Sequence, residues 1–440
     1  MTQPVATPIP SLAQNGEFVR LWAGQVVSAV GGGVSRLAAP LLALALTGSP
    51  ADAGLLASAQ AVPFLFLGLV AGAIIDRADR RLILMACDLA RAVAIGSVPV
   101  AWWFGSLTVA HLYVVAFVQG TALAFANVAQ VAALPRVVAK SQIAAAQSFN
   151  QASQGVATLA GPALGAAIIG IAATTEAGAS LAYAVDAVTY FASLAALASV
   201  RTPLQSARIA RATAGRIAQL RADIGAGLRY LWDDRSLRGM AAVNFGQRLL
   251  LGGLVLTVIV LAQAELHAET HQVGWLLTAG GAGGLVGATL AARLYARIAI
   301  WPLLVAIVTT NAVGYAILAT APVLAVAMVG MAIATFAESL TGIVQVAYRL
   351  GTIPDAMQGR VNSTYRWTAF AGVGGGAAAG GYLVVLAGPR LTLALMSVAA
   401  ALLAIGIASM RRVVAREAAR QVATDRFTVT DRTAVIARTG

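Results

Sequence analysis

This sequence has few charged side chains. They make up 11% of its 440 residues, against about a quarter in a typical soluble domain. Hydrophobic residues make up 59%, more apolar surface than a soluble core needs. Runs of hydrophobic residues recur along the sequence. Each is roughly 20 residues long, the length of helix that crosses a hydrocarbon layer about 30 Å thick. The composition therefore predicts an all-α polytopic membrane protein.

Cysteine and histidine are almost absent. The lone Cys87 excludes an internal disulfide framework. His111, His267 and His271 all fall in predicted outer loops, and the i, i+4 pair lacks the further ligands of a persuasive metal site. The sequence contains no G-x-x-x-x-G-K-[ST] phosphate-binding loop. It also contains no set of residues typical of an enzyme active site. We therefore expect neither metal nor cofactor, no enzymatic activity, and a process driven by an ion gradient.

Apolar runs, punctuated by Gly, Pro and charged residues, predict twelve membrane spans. They lie at 18–46, 53–75, 82–103, 109–133, 143–172, 179–200, 239–263, 272–296, 298–319, 323–348, 360–387 and 390–410. The resulting domains are an N-terminal segment (1–17), a six-helix bundle (18–200), a linker (201–238), a second six-helix bundle (239–410) and a basic tail (411–440). The first 17 residues lack Arg and Lys, which argues against a cleavable signal peptide.

The basic residues predict an orientation. The net charge is +13 and the pI is about 10.9, which in a soluble protein would suggest nucleic-acid binding. Here 25 of the 30 Arg and Lys residues fall on one side of the predicted spans. The positive-inside rule places that side, with both termini, in the cytoplasm. We therefore expect the cell (inner) membrane as the location and no nucleic-acid partner.

The linker has its own pattern. Ile217, Leu220, Ile224, Leu228 and Leu231 follow helical spacing, with arginines between them. An amphipathic helix lying on the inner leaflet is the simplest interpretation. A binding site for a calmodulin-like partner is a less favoured alternative.

The two halves resemble each other. "GLVAGAIIDR" at 68–77 aligns with "GLVGATLAAR" at 284–293, and "LPRVVAKSQ" at 134–142 corresponds in position to "IPDAMQGRV" at 353–361. Two related six-helix halves are a transporter architecture, with a substrate site near the midplane between them.

The segment "GAIIDRADRR" at 72–81 resembles the G-x-x-x-D-R-x-x-R-R signature of the major facilitator superfamily. "FVRLWAGQVVS", "CDLARA", "AVDAVTYFASLAAL" and "GLRYLWDDRSLR" are similar to segments of its third group of drug:proton antiporters, which includes macrolide and enterobactin exporters. "LAGPALGA" at 159–166 resembles the Gly-Pro motif of antiporters. Two positions depart from the pattern: Ala116 stands where an Arg is usual, and Gly32 where Asp is common.

The resemblance implies roles for two motifs. The gating motif comprises Gly72, Asp76, Arg77, Arg80 and Arg81. Its acid, Asp76, is expected to latch the first bundle to the start of the eleventh span, while its arginines hold the loop in the cytoplasm. The antiporter motif comprises Gly161, Pro162 and Gly165, where small residues and a proline kink suit either a deformable gate or plain tight packing.

Ionisable residues inside a bilayer are costly and mark functional candidates. Asp88 and Arg91, at i and i+3, are expected to pair with each other as a structural unit. Asp186, on the sixth span, is expected to bond a neighbouring helix.

Glu338 differs because no basic residue lies within four positions of it. It stands roughly 22 Å along the tenth span at 1.5 Å per residue. Thr341 and Gln345 continue a polar stripe on its face. Since low-dielectric surroundings favour the protonated form of a carboxyl group, proton coupling or cation recognition and a buried structural acid are both open interpretations.

Polar stripes on other spans predict a central cavity, because such groups facing lipid would lack partners. Arg36 and Arg248 are expected either to bind an anion or to neutralise Glu338, and the surplus of bases slightly favours an anionic or zwitterionic substrate such as a siderophore. The candidate substrate residues are Gln25, Arg36, Asn127, Gln130, Asn244, Gln247, Arg248 and Gln345.

Together these features predict a secondary active exporter of small amphipathic compounds, such as a drug, a macrolide or a siderophore. Proton antiport by alternating access would drive it. Nutrient uptake or uniport by the same fold, and a membrane sensor or scaffold without transport, are the alternatives. Expected partners are the small-molecule substrate and membrane lipid, with the chain acting as a monomer.

Overall fold

The computed structural model of the chain describes residues 12–75, 78–204, 225 and 228–436. Long helices make up nearly all of this part, and no strand occurs in it. The first ten helices are α1 (Gly16–Thr47), α2 (Pro50–Ile75), α3 (Arg80–Trp103), α4 (Val109–Val137), α5 (Ile143–Gly170), α6 (Thr175–Ala198), α7 (Arg235–Val260), α8 (Thr270–Arg297), α9 (Ile300–Thr320) and α10 (Leu324–Thr352). A last helical segment covers Asp355–Ile436.

The last segment contains two helices. Gly388 interrupts it with φ 76°, and Pro389 follows. Its apolar part, Val361–Ser409, has 49 residues, or about 73 Å at 1.5 Å per residue, more than twice a hydrocarbon layer of about 30 Å. We therefore call 355–387 helix α11 and the part from 389 onward helix α12. The prediction of twelve spans in an all-α membrane fold is confirmed.

Polar side chains begin several helices where the sequence analysis placed loops. Asn15, Thr108 and Thr174 each accept a hydrogen bond from a backbone N–H in the first turn of the helix that follows. Asp234 accepts from the N–H groups of Ser236 and Leu237 at the start of α7. Such N-caps satisfy donors that have no partner within the helix.

The two halves pack in equivalent ways. In the first half, α1 packs on α5, and α2 on α4. In the second, α7 packs on α11, and α8 on α10. Glycine permits the matching close approaches: a Cβ on Gly161 would lie 2.5 Å from Gly33 Cα, and one on Gly380 would lie 2.6 Å from Gly253 Cα. The repeat inferred from sequence is thus a repeat of structure.

Helix ends differ in charge. We call the end that carries Arg20, Arg80, Arg136, Arg297 and Arg349 the arginine-rich end, and the opposite one the arginine-poor end. The halves meet through α2 with α11 and α5 with α8.

The close contacts between the halves lie toward the arginine-poor end. A Cβ on Gly54 would lie 2.4 Å from the carbonyl oxygen of Ala377, and Ser58 Oγ donates to the carbonyl of Gly374 at 2.7 Å. Gly274, near the start of α8, packs against Ala166 of α5.

Aromatic side chains continue this contact toward the middle of the molecule. The rings of Phe64 and Phe370 stack with centroids 3.6 Å apart. Trp367 Nε1 donates to the carbonyl of Leu65 at 3.1 Å. The halves are thus joined from the arginine-poor end to about the middle of α2.

Several predicted features lie outside the described residues. They include Ile217, Leu220 and Ile224 of the linker and the segments 1–11 and 437–440. The amphipathic helix and the outer domain boundaries therefore stay predictions. Helix α12 runs to Ile436, well beyond the predicted end of the twelfth span at 410.

Candidate functional site

A buried ion pair joins α7 and α10 in the second half. Arg248 Nη1 lies 2.8 Å from Glu338 Oε1, and the two side chains are 26% and 12% exposed. Glu338 Oε2 is buried and has no hydrogen-bond partner. Of the two arginines expected as counter-charges, Arg248 is the one in contact with Glu338. Sequence spacing could not show this pair because its members are 90 residues apart on different helices.

A cavity of about 280 Å³ opens beside this pair, between α7, α10 and α11. It includes three of the predicted substrate residues, Asn244, Arg248 and Gln345. Its full lining is Asn244, Arg248, Gly342, Gln345, Val346, Arg349, Tyr365, Arg366, Ala369, Phe370 and Val373. Three arginines and no acid therefore face one small space.

Arg349 is held in place by α11. Its guanidinium carbon lies 4.1 Å from the centroid of the Tyr365 ring, a cation–π distance, and its Nε donates to Asn362 Oδ1 at 3.2 Å. Tyr365 is itself fixed, because its hydroxyl donates to the carbonyl of Leu237 at 2.6 Å. The cavity thus has a rigid wall toward the arginine-rich end.

Two buried glutamines have unpartnered amides. Gln345 is 1% exposed and Gln247 is 2% exposed, and both side-chain polar atoms of each lack a hydrogen-bond partner. A buried amide without a partner costs about 1–3 kcal/mol. Gln345 lines the cavity, although its amide atoms are themselves buried.

The predicted substrate residues of the first half do not line this cavity. Gln25, Asn127 and Gln130 are half-buried, and Arg36 is exposed. Arg36 lies near Asp186 of its own half rather than near Glu338. The structure therefore divides the predicted substrate residues into two groups. Only the second-half group contributes to the cavity, through Asn244, Arg248 and Gln345.

Asp88 and Arg91 interact electrostatically but form no direct ion pair in the described part of the chain, so their pairing stays a prediction. Asp88 Oδ2 accepts a hydrogen bond from Ser193 Oγ at 2.8 Å, and the Arg91 guanidinium lies 5.3 Å from the centre of the Tyr190 ring. Ser193 and Tyr190 both belong to α6, so Asp88 and Arg91 also fasten α3 to α6.

Asp186 bonds a neighbouring helix, as its position on the sixth span predicts. Its side chain is fully buried and accepts hydrogen bonds from Ser35 Oγ of α1 and from Thr189 Oγ1. Gly31 permits this contact, because a Cβ there would lie 2.5 Å from Asp186 Oδ1. Asp186 therefore ties α1 to α6.

The gating motif is described in part. Asp76 and Arg77 lie outside the described residues, so the expected latch stays a prediction. Arg80 Nη1 donates to the carbonyls of Ala132 at 2.8 Å and Leu204 at 3.3 Å. Arg81 donates to the carbonyl of Ala198, the last residue of α6. These arginines thus fasten the start of α3 to the ends of α4 and α6.

The Gly-Pro motif lies where α5 contacts two helices. Gly161 packs against Gly33 and Gly165 against Val34 of α1, while the carbonyl of Pro162 faces Gly274 of α8. One motif therefore contributes both to the packing of the first half and to the junction between halves.

The sequence analysis did not predict four charged or aromatic residues of the cavity, Arg349, Tyr365, Arg366 and Phe370. The stripe of Glu338, Thr341 and Gln345 continues to Arg349 at the next i+4 position. Extending that stripe by one turn would have identified Arg349 from the sequence.

Comparison with known proteins indicates a family. The chain matches the family described as "Transmembrane secretion effector" over residues 6–439. It is 31% identical over 287 residues to the "Multidrug efflux pump Tap" of Mycobacterium tuberculosis, covering 62% of this chain and 64% of that protein. It is 27% identical over 387 residues to the Tap protein of Mycolicibacterium fortuitum, covering 86% and 89% of the two chains. The match to the first relative thus spans less than two thirds of that relative's length.

A solved structure shares the fold. A bacterial homologue of the iron transporter ferroportin superposes with a TM-score of 0.71 at 14% identity, covering 91% of this chain and 100% of that one. At this identity the likeness concerns the fold alone.

Proposed function

Because the chain belongs to the transmembrane secretion effector family of the major facilitator superfamily, and is a multi-pass membrane transporter, we propose that it exports small amphipathic compounds in exchange for protons. The fold supplies two six-helix bundles, the architecture in which alternating access operates.

The buried Glu338–Arg248 pair is the observation that carries this proposal. An ion pair taken out of water is stabilising only if it stays complete. When Glu338 takes up a proton, Arg248 loses its charged partner. Arg248 is then free to bind another anion, or α7 is free to shift against α10. Protonation at one residue is thereby linked to the packing of two helices that surround the cavity.

In this proposal the structure represents a state that is open at the arginine-rich end. The contacts between α2 and α11, and between α5 and α8, close the opposite end. With the arginine-rich end and both termini in the cytoplasm under the positive-inside rule, this state receives substrate from the cytoplasm. The Gly-Pro motif then lies at the junction that must open for release.

The names of the relatives favour drugs as substrates. Macrolides and siderophores remain in the proposed range because the cavity offers both aromatic and cationic groups. The energy source in this proposal is the proton gradient, with no cofactor.

The proposal is tested by expressing the chain in cells that lack their own efflux pumps. From a broad panel of drugs, macrolides and siderophores, cells with the wild-type chain should accumulate less of at least one compound than empty-vector cells, and a protonophore should abolish the difference. Glu338→Gln should accumulate as much as the empty-vector cells.

Glu176→Gln is the matched control, since Glu176 stands in the first turn of α6, away from the cavity. This variant should export like wild type at equal abundance in the membrane. Unchanged accumulation across a broad compound panel in wild-type cells would contradict export, and full export by Glu338→Gln would remove Glu338 from the coupling.

A further inference from the structure

We infer that the cavity between α7, α10 and α11 is a binding site for an anionic oxygen group, a carboxylate or a phosphate, attached to an apolar body. The first step is its charge. Arg248, Arg349 and Arg366 line it, and no acid does. Glu338 neutralises Arg248, which leaves a surplus of two positive charges.

The two remaining arginines lack carboxylate partners in the described part of the chain. Arg349 contacts an aromatic ring and an amide oxygen, both neutral. Arg366 is exposed at the cavity. Guanidinium groups bind carboxylate and phosphate through paired N–H donors, so these two arginines are suited to one anionic group between them.

The second step is the unpartnered amide of Gln345. It is buried, lines the same cavity, and has neither a donor nor an acceptor opposite it. Each unsatisfied buried polar group in a folded protein calls for an explanation, and a role in binding is one. The amide N–H2 group of Gln345 donates to an anionic oxygen in this proposal.

The third step concerns the apolar walls. Tyr365, Phe370, Val346, Ala369 and Val373 complete the lining. A volume of about 280 Å³ is at the lower limit of ligand pockets, which start at about 300 Å³. It therefore fits a small aromatic acid or the charged end of a larger amphiphile.

This inference deepens the proposed function, and it rests on that function only in naming the anion as cargo. An anionic phospholipid headgroup carries the same kind of anionic oxygen group as a free amphiphilic anion. The binding experiment below distinguishes these two ligands.

Binding is measured on the full chain, purified in detergent and in phosphatidylcholine nanodiscs, by isothermal titration. The probes are 2-naphthoate and its uncharged counterpart of the same shape, 2-naphthamide. Wild type should bind naphthoate more tightly than naphthamide. Arg366→Gln should weaken naphthoate binding about tenfold or more, the effect of losing a charged hydrogen bond, and leave naphthamide binding unchanged. Arg366→Lys should recover part of the loss.

Arg136→Gln is the matched control, because Arg136 is exposed at the end of α4 and outside the cavity. It should bind both probes like wild type. Gln345→Met should weaken naphthoate binding without lowering the melting temperature, because it removes an amide that has no partner in the unliganded protein. A purely structural role for Gln345 would instead lower the melting temperature and leave binding unchanged.

Nanodiscs with one quarter phosphatidylglycerol show whether the site binds a lipid headgroup or a free amphiphilic anion. If naphthoate binding weakens there in wild type but not further in Arg366→Gln, the lipid headgroup competes for the site. If it does not weaken, the site takes a free amphiphilic anion. Equal affinity for naphthoate and naphthamide, or equal naphthoate binding by wild type and Arg366→Gln, would overturn the site.

The result is independent of transport. Naphthoate binding without export of any compound would contradict the proposed function and leave the anion site intact. Proton-driven export with no preference for naphthoate would contradict the anion site alone.

Discussion

Replacing Arg248 by Met should expose the energetic role of its ion pair. The substitution leaves Glu338 buried without its partner. Opposite charges about 4 Å apart attract by about 4 kcal/mol at an effective dielectric constant near 20. Because Arg248 is 26% exposed and Glu338 12% exposed, we expect solvent screening to halve this, to about 2 kcal/mol of lost stability.

The assay is a double-mutant cycle. The free energies of unfolding of wild type, Arg248→Met, Glu338→Gln and the double variant are compared in one detergent. We expect a coupling energy of about 2 kcal/mol between the two positions, with the double variant more stable than Arg248→Met. The defect of Arg248→Met should be largest at high pH and shrink as the pH falls, because the protonated carboxyl no longer needs a cation.

A coupling energy below about 0.5 kcal/mol, the usual limit of additivity, would refute this reasoning. It would mean that Arg248 and Glu338 act independently, and the linkage between protonation and helix packing would then lose its basis.

Two further predictions concern packing. Gly161→Val should lower the melting temperature and the yield of folded protein, because a Cβ at this position would lie 2.5 Å from Gly33 Cα. Gly155→Val is the control and should fold, since nothing lies within 4 Å of a Cβ there. Equal yields of the two variants would contradict the close approach of α1 and α5. A disulfide between cysteines at Ala61 of α2 and Gly374 of α11, in a background without the native cysteine, should stop export until it is reduced, because a Cβ on Gly374 would lie 3.0 Å from Ala61 Cβ. Undiminished export by the oxidised protein would contradict opening at this end.

The fold was predictable from sequence because membrane helices must satisfy their backbone groups internally. Long apolar runs therefore predict helices directly, and the halves followed from the repeat at 68–77 and 284–293. Helix ends were less accurate: α11 begins at 355 rather than at 360, and α7 at Arg235 rather than at 239. Charged residues at these ends continue the helix, although they signalled loops.

The site was predictable only in part, because periodicity shows which residues share a helix face and not which faces meet. Glu338 and Arg248 were both recognised as intramembrane charges, but their contact depends on the packing of α7 near α10. Asp88 and Arg91 show the same limit, since their local spacing suggested that they pair but could not show their contacts with Ser193 and Tyr190 on α6.

The most direct test of coupling is proton movement across proteoliposomes that contain the purified chain and a pH-sensitive dye in the lumen. The substrate is a compound that the accumulation assay identifies as exported. Adding it outside wild-type vesicles that are acidic inside should release lumenal protons as the substrate enters. Glu338→Gln vesicles should show no substrate-dependent proton release, although the protein is folded. Proton release by Glu338→Gln at the wild-type rate, or substrate movement in wild-type vesicles without any proton movement, would contradict the account.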